Sequence, residues 1–488
     1  MTSLSTALAV VAVAALVARW KRKQERQWRQ TRSLVRKFAR ECATPVKTLR
    51  LLADDLVSNM KSSLASPSCS IENTTLNMLI AYASSLPNGE EEGFFYGVNM
   101  RSTDFLILCA RLRGKNSPVS DLDREEICFP PNILAATREE VCDFVATEIA
   151  KFILAHPEKE NADVQKDKKK LGFTLSNLVD PTGTVNLWKN LSADDPVGKE
   201  LVDDFNRALN NHGIHNIQVF AMVEDTIGCL AGGRYYSRDN VAAVTLGMMT
   251  NAAYVEAAQD VPRWLHQSPP STELVISTEW ENFRSSHLPI TQFDVSLDAE
   301  SSNPGTRIFA KLVSGMYLGE IVRRVLLKMA QETGLFGDTV PPKLMIPYQL
   351  QSIDMAVMHQ DTSEDREVVM EKLKDIFEIG EASEMGREVV AEVCDIVAER
   401  GARLAAAGIV GIMKKLGRIE NRRSVVTVEG GLYEHYRIFR NYLHSGVWEM
   451  LGNDLSDNVI IQTPHGGAGT GALFLAASQT HHSSSSYI

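Results

Sequence analysis

The chain has 488 residues, 44% of them hydrophobic and 23% charged, which is ordinary globular usage. This excludes a collagenous, disordered or polytopic membrane chain, and the length predicts two or three domains. With 51 basic and 61 acidic residues the formal charge is −10. No general nucleic-acid binding is expected of so acidic a body, because that task needs clustered Lys and Arg. The seven cysteines are odd in number and form no CxxC pair, which argues against a zinc site or disulfide framework and for a reducing compartment.

In chain order, Thr2 to Ala18 is an uncharged apolar run followed by a strongly basic stretch from Arg19 to Arg40. The run is at the short end of a membrane-spanning helix, and charge after it predicts an uncleaved anchor with a cytosolic body. A cleaved segment and a buried soluble helix are the alternatives; a secretory signal carries its charge before the apolar core. The basic stretch reads as a solvated juxtamembrane helix that feels anionic lipid. Val46 to Asn59 has helical apolar spacing, and Lys61 to Thr75 is a Ser-rich loop.

From Gly93, GFFYGVNMRSTDFLILCARLRG predicts a hairpin. TREEVCDFVATEIAKFILAH opens on a capping box, Thr137 with Glu140, and predicts a helix. LGFTLSNLV from Leu171 reads as a strand. NIQVFAMVEDTIGCLAGGRYY from Asn216 reads as strand, loop and helix, and VAAVTLGMMTNAAYVEAA from Val241 as a second hairpin. Residues 306–333 and 364–417 are helix-rich. SVVTVEGGLYEHY from Ser424 is strand, turn and helix, and HGGAGTGALFLAAS from His465 is a glycine-rich turn opening a helix. Hairpins recurring in both halves predict two related α/β lobes with a cleft between them, where ligands favour binding.

LAGGRYY, TEWENFRSSHLP, SGMYLGEIVRRVLLKMA, ERGARLAAAGIVGI and EGGLYEHY carry a resemblance to the hexokinase family, closest to its plant members with a membrane anchor. The resemblance implies a two-lobed actin-like ATPase (ribonuclease H-like) fold. It implies an anchor over 1–40, a small lobe over 41–226 with the C-terminal helix, 472–488, as a candidate to return to it, and a large lobe over 227–471. It also implies hexose (glucose or fructose) and MgATP as substrates, and the mitochondrial outer membrane as the location. Protein partners, oligomeric state and preferred hexose are not legible.

The resemblance makes Asp225 the base that takes the sugar proton. It makes Ser176, Lys189, Asp225, Asn251 and Glu279 the hexose contacts. Glu224 stands where the family has Asn, and Thr306 where it has a Glu. Thr103, Gly247, Thr250, Gly430, Gly431, Gly467, Gly469 and Gly471 match its ATP loops. The first phosphate turn departs from the pattern at Asn99, Arg101, Ser102 and Asp104, the second at Met248 and Met249. Taken alone, Glu224-Asp225 reads as a solvated acidic pair, the two Met residues as packing, and Arg101 either as a phosphate partner or as a space-filler. Bulk at both turns predicts a protein that has lost most or all phosphotransfer and serves as a sugar-responsive or scaffold protein. The alternative is an active or slow ATP-dependent hexokinase acting on glucose or fructose.

Overall fold

The computed structural model describes residues 2–65, 76–80, 86–101, 103–134, 136–157, 169–176, 196–262, 272–420 and 422–479, with the side chains of 2–17, 20 and 196–199 outside the description. The chain opens with helix α1 (Thr2–Cys42), helix α2 (Val46–Ala65) and strand β1 (Leu79–Ile80). On α2, Leu49, Leu52, Ala53, Leu56, Met60 and Leu64 are buried. That three-and-four spacing gives one apolar stripe, which docks on a later helix.

The smaller sheet follows, with strands β2 (Glu92–Met100), β3 (Asp104–Arg113) and β4 (Ser120–Cys128), then α3 (Arg138–Ala155), β5 (Lys169–Leu175), α4 (Pro196–Asn211) and β6 (Ile217–Glu224). Its order is β4-β3-β2-β5-β6. β2 and β3 form the expected antiparallel hairpin, while β5 pairs parallel with both β2 and β6. Parallel neighbours need a crossover, which α3 and α4 supply. α3 starts on the expected capping box, in which Thr137 Oγ1 accepts from the Glu140 amide and Glu140 takes the Thr137 amide at 2.8 Å.

Helix α5 (Asp225–Tyr236) leads into the larger sheet, made by β7 (Asn240–Leu246), β8 (Thr250–Ala257), β9 (Glu273–Ser277), β10 (Ser424–Glu429) and β11 (Val459–Gln462) together with β1. The order is β1-β9-β8-β7-β10-β11. Between β9 and β10 lie α6 (Gln292–Glu300), α7 (Gly315–Thr333) and α8 (Glu384–Lys415); α9 (Gly431–Glu434) and α10 (Arg437–Leu451) follow β10. α11 (Gly467–Ser478) closes the described chain.

Two helices join the sheets. α5 runs from the end of β6 to the start of β7, and α11 leaves the larger sheet to lie on β2 and β5. They cross in backbone contact: a Cβ on Gly471 would sit 1.8 Å from the Gly228 carbonyl oxygen, so only glycine fits there.

The N-terminal region departs from expectation. The second half of α1 is docked rather than solvated. Val35 and Phe38 are buried, Phe38 meets Phe293 edge-on at 5.4 Å, Thr31 bonds Thr333 at 2.8 Å, and Arg32 pairs with Glu392. Basic residues lie on its outer face while the apolar ones of the same stretch join the large-lobe core. The described residues of 46–65 and 76–80 join that core as well. Among the described residues no helix is long and apolar enough to cross a membrane.

Candidate active site

The last residue of β6 is Glu224 and the first of α5 is Asp225, so both lie where the two sheets meet. Asp225 is held by three donors. Its Oδ2 accepts from Ser176 Oγ at 2.9 Å; its Oδ1 accepts from the Thr226 amide at 2.8 Å and the Thr226 hydroxyl at 3.4 Å. Burial raises its pKa, and the bonds from Ser176 and Thr226 pull it back toward ionisation. Its place in the first turn of α5 favours negative charge too. The group is a fixed, buried carboxylate with acceptor capacity to spare, as a general base requires.

Glu224 reaches across to the larger sheet. Asn251, in the first turn of the second hairpin's return strand β8, donates from Nδ2 to Glu224 at 2.9 and 3.1 Å and approaches Glu279 Oε1 at 3.2 Å. Ser277 Oγ, at the end of β9, lies 2.5 Å from Glu224 Oε1 and 2.9 Å from Glu279 Oε1. Asn251 Oδ1 takes the Ala252 amide at 2.8 Å, which fixes the amide's orientation. Burial, then Glu279, raises the Glu224 pKa well above the ordinary carboxylate range. The solvated acidic pair read from the sequence is therefore a half-buried, hydrogen-bonded one. Glu279 sits in the left-handed region at φ 50°, a strained conformation for a residue with a Cβ and a common one at functional sites.

The structure thus brings Ser176, Asp225, Asn251 and Glu279 together, with Glu224 and Ser277 between them. Lys189 and Ser102 lie outside the described residues. Thr306 is exposed, and its hydroxyl donates to Asn303 O at 3.0 Å in its own loop.

At the first phosphate turn the Arg101 amide donates to Asp104 O at 2.9 Å, closing the hairpin. Its guanidinium is drawn aside by Asn99 Oδ1 at 3.1 Å, Asp104 at 3.1 Å and Glu126 at 2.7 Å. Asn99 is buried and donates to Thr174 Oγ1 at 2.8 Å. Thr103 is exposed, its hydroxyl on Asp104 Oδ2 at 3.1 Å.

At the second turn the Gly247 amide donates to Met249 O at 3.0 Å. The Gly247 and Met248 carbonyls in turn accept from the Gly315 and Met316 amides at the start of α7. Met248 is 58% exposed and Met249 packs against the large-lobe core. Of the two thioethers, Met248 is the exposed one at the turn and Met249 faces the core. Thr250 is buried, and its hydroxyl takes the Trp280 indole N–H at 3.1 Å, so it supports the turn rather than facing a nucleotide.

On the nucleotide side, Gly430 has φ +112°, and a Cβ there would lie 2.5 Å from Leu246 O. This is a close approach that brings the β10 turn against the end of β7. Gly431 opens α9 and Gly467 opens α11. Gly469 and Gly471 let α11 pack against β2, β3 and α5.

Two residues were not singled out from the sequence. Ser277 ends a short apolar strand two residues before Glu279, a polar residue at a strand terminus beside a site residue. Glu429 precedes the Gly430-Gly431 turn and accepts from the Ala468 amide at 3.1 and 3.2 Å. Burial, then Asp225, pushes its pKa up to about 7.

Comparison with known proteins agrees with this geometry. Family models described as hexokinase match residues 34–235 and 241–478. The chain is 43% identical to Hexokinase-1 of Spinacia oleracea over 97% of this chain and 96% of that one. It is 44% identical to Hexokinase-2 of Arabidopsis thaliana over 99% and 97%. A solved hexokinase from Schistosoma mansoni, complexed with glucose, superposes with a TM-score of 0.76 at 25% identity, covering 92% of this chain and all of that one. With nearly its whole length matched, and with its two sheets meeting at the carboxylates of β6, the chain belongs to the hexokinase family and is of the plant type.

Proposed function

We propose that this protein is an ATP-dependent hexokinase, transferring the terminal phosphoryl group of MgATP to a hydroxyl of glucose or fructose. The observation that carries this reading is Asp225, a buried carboxylate held by Ser176 and Thr226 at the head of α5. As the sugar oxygen bonds to phosphorus and the bond to ADP breaks, the hydroxyl proton passes to Asp225. Asn251, Ser277 and Glu279 offer the mixed donors and acceptors that a polyhydroxylated substrate needs. The glucose in the Schistosoma mansoni relative supports the substrate class. The turns at Gly430 and Gly467 are the candidate seat for MgATP by resemblance; in this structure the Gly430 amide donates to Glu434 and the Ala468 amide to Glu429, so phosphate would take the place of a carboxylate there.

Loss of phosphotransfer is the weaker reading. It required bulk in the path of the triphosphate, whereas Met248 points to solvent and Arg101 is tied to Asp104 and Glu126. The test is a coupled assay with ATP, Mg²⁺ and glucose on the full-length chain. Truncation after Arg40 is unsuitable because it removes Val35 and Phe38 from the core. Turnover of about 1 s⁻¹ or more is expected; the absence of turnover in protein that still binds glucose would restore the scaffold reading.

The apolar run 2–18 and the basic stretch behind it support a second proposal, attachment to a membrane, with the mitochondrial outer membrane as the candidate. Residues 1–40 fused to a fluorescent protein are expected to pellet with membranes and to resist alkaline extraction. A soluble fusion would sink the proposal.

A further inference from the structure

We propose that Glu224 is a specificity-determining residue that holds a proton, shared with Glu279 across the Ser277 hydroxyl, so that hexose meets a neutral carboxyl and binds more weakly as pH rises. The inference rests on the hexose reading above and concerns the one sugar-site position at which this chain places an acid beside the base.

Hydrogen counting carries it. Ser277 Oγ has a single hydrogen but lies within bonding distance of Glu224 Oε1, at 2.5 Å, and of Glu279 Oε1, at 2.9 Å. If both carboxyls were ionised, one of those contacts would set lone pair against lone pair. Asn251 cannot relieve this. Its two amide hydrogens already face both Glu224 oxygens, Ser277 Oγ at 2.8 Å and Glu279 Oε1. One added proton makes the set consistent: a carboxyl O–H donates to Ser277, and Ser277 donates onward.

The proton belongs on Glu224. That contact is the shorter, in the range of an O–H···O bond to a carboxyl group. The burial of Glu224 and the neighbouring Glu279 both favour its neutral form. The charged groups facing it among the described residues are Glu279 and Asp225, both acidic, while β8 and β9 offer only the Asn251 amide and the Ser277 hydroxyl. Adjacent carboxyls with opposite assignments then divide the work. Glu224 keeps its proton and can both donate and accept toward the sugar. Asp225 keeps its charge, supported by Ser176 and Thr226, and serves as base. An ionised Glu224 would only accept, and would add charge beside both neighbours.

The test is calorimetric titration of glucose without nucleotide, from pH 6 to pH 9, in buffers of different ionisation heat. In the wild type, affinity is expected to fall by about tenfold per pH unit once Glu224 titrates, with proton uptake on binding. Glu224→Gln, neutral at every pH, should bind with the low-pH affinity and show no pH dependence. The infrared difference between sugar-free wild type and this variant should contain the carbonyl band of a protonated carboxyl. Wild-type affinity flat across the range, or no such band, overturns the inference while leaving the hexose reading intact. Failure to bind glucose at any pH overturns both. The wild-type series decides the matter even if the variant folds poorly.

Discussion

Asp225→Asn is expected to lower hexose phosphorylation by about 10²–10⁴-fold while leaving glucose binding in place. The amide keeps its oxygen for the Thr226 amide, and its NH2 donates to Ser176 Oγ, whose hydroxyl turns to accept, so the geometry at the head of α5 survives. What it cannot do is take the sugar's proton. The split between kcat and glucose affinity is therefore the diagnostic, read by a coupled assay and by calorimetry. Equal loss of both would mean that Asp225 holds the sugar rather than activating it. The pH profile has a sign as well. Burial raises the pKa of Asp225, and the base works only when ionised, so the rate rises as pH climbs through that value. Glu224 imposes the opposite limb through binding, giving a bell in kcat/KM whose alkaline side disappears in Glu224→Gln.

The largest loss of stability is expected far from this chemistry, in Asp294→Ala. Arg400 on α8 is fully buried, and both its terminal nitrogens donate to Asp294, at 2.7 and 2.8 Å. Asp294 also accepts from the Thr291 amide and hydroxyl, each at 2.7 Å, completing the capping box of α6. Removing it leaves a guanidinium buried without its counter-charge and breaks half of the capping box, Thr291 Oγ1 still accepting from the Phe293 amide, a loss of about 3–5 kcal/mol. Chemical denaturation fitted with separate transitions for the two lobes measures this. Replacing the pair together, Asp294→Ala with Arg400→Met, is expected to recover much of the loss, because no unpaired charge remains. No recovery would show that the cap, not the ion pair, is the main contributor.

Much of the fold was legible because local pattern encodes it. The capping box at Thr137 and Glu140 and the alternation from Gly93 to Gly114 depend on residues close in sequence, and each appears where expected; the loop expected after the strand from Asn216 is absent, since the strand ends at Glu224 and the helix starts at Asp225. The docking of α1 was not legible in the same way. Its basic residues and its buried Val35 and Phe38 share one helix, and a charge count does not reveal which face meets a partner. The phosphate turns were legible only in part for a related reason. Residue type marks Met248 and Met249 as bulky, but not that one faces solvent and the other the core.

Sequence alone determined the family, the two α/β lobes, the candidate base Asp225 and the positions where this chain departs from the family pattern. Only the tertiary structure decided what those departures do. Glu224 meets Asn251 and Ser277, 27 and 53 positions away in the chain, with Glu279 on the far side of Ser277. Their hydrogen bonds, and hence their protons, depend on distances that exist only once the two sheets have come together.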